Sequence, residues 1–105
     1  MNEQRKSLVE SLRQAALTSP GTLDATTRQA AAAGILADAD PAVAALVAKV
    51  HAQAWCITPA DLEAVAAAGY SDEQVFELTV AASVGAGLHR LDVGLAAIAA
   101  ASREP

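Results

Sequence analysis

At 105 residues the chain has room for a single domain with one modest core. Its residues are 53% hydrophobic but only 3% aromatic, and alanine supplies half of that hydrophobic fraction, so a core must come from helices that approach closely over small side chains. Twelve acidic residues against seven scattered basic ones give a net charge of −5, which excludes an electrostatic footprint for nucleic acid.

In chain order, residues 2–17 (NEQRKSLVESLRQAAL) place Leu8, Leu12 and Ala15 or Ala16 on one face with charges opposite, which predicts an amphipathic helix. TSPG at 18–21 breaks it, and TLDATTRQAAAAG at 22–34 predicts a short helix closed by Gly34. Asp40 as N-cap and Pro41 at the first helical position open a helix expected to run about 15 residues, through Trp55, burying Val43, Leu46, Val47, Val50 and Ala54. Thr58 and Pro59 open the next helix in the same way, Asp61 meets the positive end of its macrodipole, and Gly69 ends it. SDEQ at 71–74 is a capping box, Ser71 with Gln74, that launches the last and longest helix. In that helix Val84, Leu88, Leu91, Leu95 and Ile98 recur at alternating spacings of four and three, a seam able to meet a partner helix or a neighbouring subunit. No strand-like alternation of useful length occurs, so the expected fold is all-α, five helices in one domain spanning 1–105.

A monomer of this composition leaves apolar surface uncovered, which predicts a homo-oligomer. Residues 1–16 carry charges throughout and no uncharged apolar run of about 18 residues stands at the N-terminus, so no signal peptide and no membrane association is expected and the cytoplasm is the expected location. One cysteine excludes an intramolecular disulfide, and with two distant histidines it makes no zinc signature, so neither a metal nor another cofactor is expected.

Residues 57–98, ITPADLEAVAAAGYSDEQVFELTVAASVGAGLHRLDVGLAAI, resemble the carboxymuconolactone decarboxylase and alkylhydroperoxidase D-like family. The shared pattern is a capped short helix ending in Ala-Ala-Gly, an S-D-E-Q-type capping box, and a long helix with Glu77-Leu78 early and Arg90-Leu91 later. The resemblance implies an all-helical subunit that assembles into trimers, hexamers or related rings. Peroxidase members of that family carry Cys-x-x-Cys-x-x-x-His just ahead of this segment. Counted back from Gly69, those positions fall on Ala54, Ile57 and Asp61; counted from Cys56, the second and third fall on Pro59 and Glu63. A two-thiol cycle within one subunit therefore has no resolving thiol. The segment looks more like the motif-free helical pair in the C-terminal part of larger members.

Cys56 reads either as a lone nucleophile or redox-sensing thiol just ahead of a helix N-terminus, or as a small buried hydrophobe at a helix junction. His51 and Trp55, four residues apart, are expected on one helix face beside Val47. That makes them a general base against the aromatic wall of a ligand pocket, or an aromatic pair at a subunit interface. His89 can act as an acid or base if it faces a cavity. Arg90, the residue the resemblance singles out, is expected to pair with Glu77, Asp72 or an acid from another helix. Among Glu63, Glu73 and Glu77, the flanking Phe76 and Leu78 mark Glu77 as a candidate to point inward, where pairing with Arg90 or His51 would build an acid/base site.

Two functions follow. One is proton transfer on, or binding of, a small organic acid or lactone, with His51 or His89 acting beside a carboxylate. The other is a non-catalytic helical oligomer that scaffolds or binds a protein partner, with a variant in which Cys56 alone senses redox state.

Overall fold

Residues that cannot continue a helix fix where each helix starts and stops. The computed structural model describes residues 3–36 and 40–102, and within them the chain is all-helical, with five α-helices and no strand. Helix α1 spans Glu3–Arg13 and passes into one wide π-type turn, Gln14–Thr18, whose last bond runs from the Ser19 amide to the Gln14 carbonyl at 2.9 Å before Pro20. Asn2, where the first helix was expected to start, lies outside the described residues.

Helix α2 spans Ala25–Ala33; the Asp24 carboxylate accepts the Thr27 amide at 2.6 Å, and Gly34 closes the helix at φ 74°, a left-handed conformation that suits glycine. Helix α3 spans Pro41–Ala52, capped by Asp40, which accepts the Ala42 amide at 2.8 Å. Helix α4 spans Pro59–Ala67, with the Thr58 amide donating to Asp61 Oδ2 at 2.8 Å. Helix α5 spans Asp72–Ser102 and starts at the expected capping box, Ser71 amide to Gln74 Oε1 at 3.0 Å and Gln74 amide to Ser71 Oγ at 3.1 Å.

The core lies between α2, α3 and the first half of α5. It holds Val43, Leu46, Val47 and Val50 of α3 against Ala31 of α2, Val65 of α4, and Leu78, Ala81 and Ala82 of α5. The closest helix approach is α2 on α5, where Gly85 lies so near the Ala32 backbone that a Cβ there would overlap its carbonyl oxygen and Cα. An alanine-rich core achieves contact by this backbone proximity, since its side chains reach little.

Two segments leave the core uncovered. Helix α1 buries no residue, and Leu8 and Leu12 are 65% and 50% exposed. The end of α5 likewise exposes Leu91, Val93 and Ile98, so the chain measures 56 × 28 × 22 Å. By length and composition α5 could cross a membrane, and only 11% of its most apolar stretch is buried inside the chain.

The structure corrects the third helix. It ends at Ala52 instead of running through Trp55, and residues 54–56 form a separate 3₁₀ turn after Gln53 leaves the helical region at φ −149°, ψ 57°. At the break the Arg90 guanidinium donates to the His51 carbonyl at 2.7 Å, supplying a partner to a last-turn carbonyl that the ended helix no longer pairs. Ala54, expected on the buried face, is exposed in consequence.

Candidate functional site

Two of the side chains expected to carry chemistry, His51 and Arg90, are engaged at helix ends. Arg90 donates to the last-turn carbonyl of α3 at His51, and the His51 Nε2–H in turn donates to the last-turn carbonyl of α2 at Ala31, 2.8 Å away. Each bond places a donor at the negative end of a macrodipole; at His51 it meets a last-turn carbonyl, and at Ala31 it joins the Gly34 amide, which donates to the same oxygen at 3.1 Å. Arg90 does not take the expected ion pair with Glu77 or Asp72; its partner is a backbone oxygen.

Glu77 turns inward as expected but meets neither Arg90 nor His51. Its carboxylate accepts the Thr22 amide at 2.9 Å, the Thr22 hydroxyl and the Leu23 amide at 3.4 Å, gathering the strand of loop that precedes α2. The Thr22 hydroxyl, ahead of the two amides and the charge of Arg28, holds the Glu77 carboxyl below its ordinary range against the opposing push of partial burial. A carboxylate held there is a weak proton acceptor at neutral pH.

Arg28, which the sequence reading passed over, is the one buried charged residue described, at 4% exposed. Its Nη1 donates to the Ala16 carbonyl at 3.3 Å and its Nη2 to the Ser19 carbonyl, closing the end of the π-type turn, while its Nε has no partner. A lone arginine in an otherwise alanine-rich helix was the available signal: its stem shares the buried face with Ala31. Arg28, Glu77, Glu73, Phe76 and Val80 line a cleft of about 290 Å³.

The other candidates stand apart. Trp55 is 81% exposed on the 3₁₀ turn, so it forms no shared face with His51. Cys56 is exposed as well, which removes the reading of it as a buried hydrophobe. His89 is exposed and lines a separate groove of about 260 Å³ with Arg13, Leu88 and Asp92. Among the described residues no group of three His, Cys, Asp or Glu side chains converges to hold a metal.

An interhelical ion pair joins Lys49 of α3 to Asp61 of α4 at 2.9 Å; with the Thr58 amide as a second cause, Lys49 keeps the Asp61 carboxyl below its ordinary range. The polar groups thus define a class of molecule in which ionic side chains fasten helix ends and loops to one another, and Arg28 and Glu77, which line the cleft, are already bonded to backbone groups beside it. Comparison with protein-family models, with curated proteins and with solved structures finds no match to the chain.

Proposed function

We propose that the protein is a non-catalytic helical module that acts by associating with copies of itself. The observation that carries this reading is the uncovered apolar surface of α1 and of the end of α5, which exposes Leu8, Leu12, Leu91, Val93 and Ile98. Apolar helix faces of this kind are rarely left in water. The seam starting at Val84 and Leu88, where Leu88 is buried within the chain, continues into Leu91, Leu95 and Ile98 beyond the core, a stripe suited to another helix.

A membrane span fits less well. The first half of α5 is committed to the core through Leu78, Ala81, Ala82, Ala86 and Leu88. The free residues 91–102 extend only about 18 Å, short of the roughly 30 Å of hydrocarbon. Native mass spectrometry and light scattering across a dilution series test the proposal: a defined oligomer that dissociates on dilution supports it, and a monomer at every concentration rejects it.

A second reading keeps the chain within the carboxymuconolactone decarboxylase-like family, binding a small organic acid or lactone or transferring its proton. What favours it is the sequence pattern itself, together with the capped α4–α5 pair ending in Ala67-Ala68-Gly69 and beginning again at Ser71. A reproducible small-molecule mass retained on the gently purified protein, lost with His51→Ala or His89→Ala, would move the balance to this reading.

A further inference from the structure

Resting on the self-association reading, the structure assigns the two faces that meet. We propose that α1 of one copy docks on the groove between α4 and α5 of the next. The groove, about 220 Å³, has Leu62, Ala66 and Val75 on its apolar surface and Glu63 and Asp72 beside them. Phe76, 63% exposed, stands next to it on α5, with Glu73 also exposed. This is an acidic surface with exposed apolar side chains at its centre.

Helix α1 has the complementary character. Arg5, Leu8 and Leu12 fall at positions i, i+3 and i+7, one face of a helix, while Lys6 and Arg13 stand about a quarter turn beyond Arg5. This helix carries three of the chain's seven basic residues and two of its 12 acidic ones, so the rest of the chain holds ten acids against four bases. Lys6–Glu3 and Arg13–Glu10 pair at 3.6 Å across exposed surface, contacts weak enough to exchange for a partner's carboxylates.

The contact has to form between copies. The π-type turn lies against α5 with Ser19 and Pro20 near Glu73 and Glu77, and Arg13 near His89 and Asp92. Helix α1 therefore leaves α5 about 25 Å from the start of that helix, where the groove lies, and heads away from it. Because the two faces differ, the contact is heterologous and propagates head to tail, closing into a ring or extending as a chain.

Charge reversal on the full-length protein tests this. Arg5→Glu with Lys6→Glu reverses the docking helix, and Glu63→Lys with Asp72→Lys reverses the groove; circular dichroism checks that each variant keeps its helices. Either pair is expected to weaken assembly at least tenfold by dilution, and an equimolar mixture of the two is expected to recover it as an alternating assembly. An oligomer indifferent to both reversals, or a mixture that fails to recover, overturns the docking assignment while leaving self-association in place. A wild-type monomer at every concentration overturns both.

Discussion

The Arg90 guanidinium donates to the His51 carbonyl at 2.7 Å, and this bond links three helices, because the His51 imidazole continues to the Ala31 carbonyl at 2.8 Å. A chain so poor in large side chains has few other ways to fix helix ends against one another. His51→Ala is expected to cost about 1 kcal/mol through the lost bond to the end of α2. Arg90→Ala, at an exposed site, is expected to cost about 0.5–1 kcal/mol and to free the His51 carbonyl. Urea unfolding measures both, and the double variant should cost less than the sum if the two bonds act as one unit. Strict additivity would show that they are independent.

Gly85 and Gly87 separate packing from propensity on the same helix. A Cβ at Gly85 meets the Ala32 backbone, whereas one at Gly87 has nothing within 4 Å. Gly85→Ala is therefore expected to destabilise by about 1–3 kcal/mol as α2 and α5 are forced apart. Gly87→Ala is expected to stabilise by about 0.5–1 kcal/mol through helix propensity alone. Thermal unfolding of the two proteins side by side checks this, and equal effects would rule out the close α2–α5 contact.

Where the chain announces helix ends by local chemistry, the sequence was sufficient: Asp40-Pro41, Thr58-Pro59, Ser71 with Gln74, and Gly34 all stand where expected. The same holds for Val43, Leu46, Val47 and Val50, whose spacing alone places them in the core. What failed depended on contacts far apart in sequence. The stop after Ala52 is accompanied by a bond from Arg90, 39 positions away from the carbonyl it meets, and no local signal at Gln53 reports it. The pairings expected of Glu77 and Arg90 failed for a related reason: backbone groups of a loop and a helix end, invisible to side-chain patterning, outcompete the partner side chains.

Acid is expected to loosen the fold through three carboxyls. Asp24, Asp61 and Glu77 are all held below ordinary values of 3.8, 3.8 and 4.5, by Thr27, by Lys49 and by Thr22 in turn. A depressed folded-state pKa means that the unfolded chain binds protons first as pH falls, so this stability is present above about pH 4.5 and is lost below it. The urea midpoint should hold level from neutral pH to about 5 and then decline. Glu77→Gln with Asp61→Asn keeps the side-chain shapes while removing two titrations, and its decline should be shallower. An unchanged slope would show that other groups dominate.

Arg28 tests whether its buried charge serves the fold. Its guanidinium closes the carbonyls of Ala16 and Ser19, so Arg28→Ala leaves two acceptors open along with the space of the stem, and a loss of about 2–4 kcal/mol is expected. Arg28→Met fills the space without donors and should recover part of that loss. If methionine matches arginine, the carbonyl bonds contribute little. If it behaves like alanine, the bonds dominate over packing.

Trp55 and Cys56 follow from the break at Gln53, which turns both away from the core. Thiol titration of the folded protein should therefore modify Cys56 completely, with no gain in rate on adding urea. Trp55 fluorescence should resemble free indole in water, be quenched by iodide, and change little on unfolding. Both probes must be read as a function of concentration, because association would cover an exposed tryptophan before it covered anything in the core. Quenching that persists at concentrations where the protein is oligomeric keeps the 3₁₀ turn outside the interface. Protection that appears only with assembly would place Trp55 inside the interface, and the contact between copies would then extend beyond α1 and its groove.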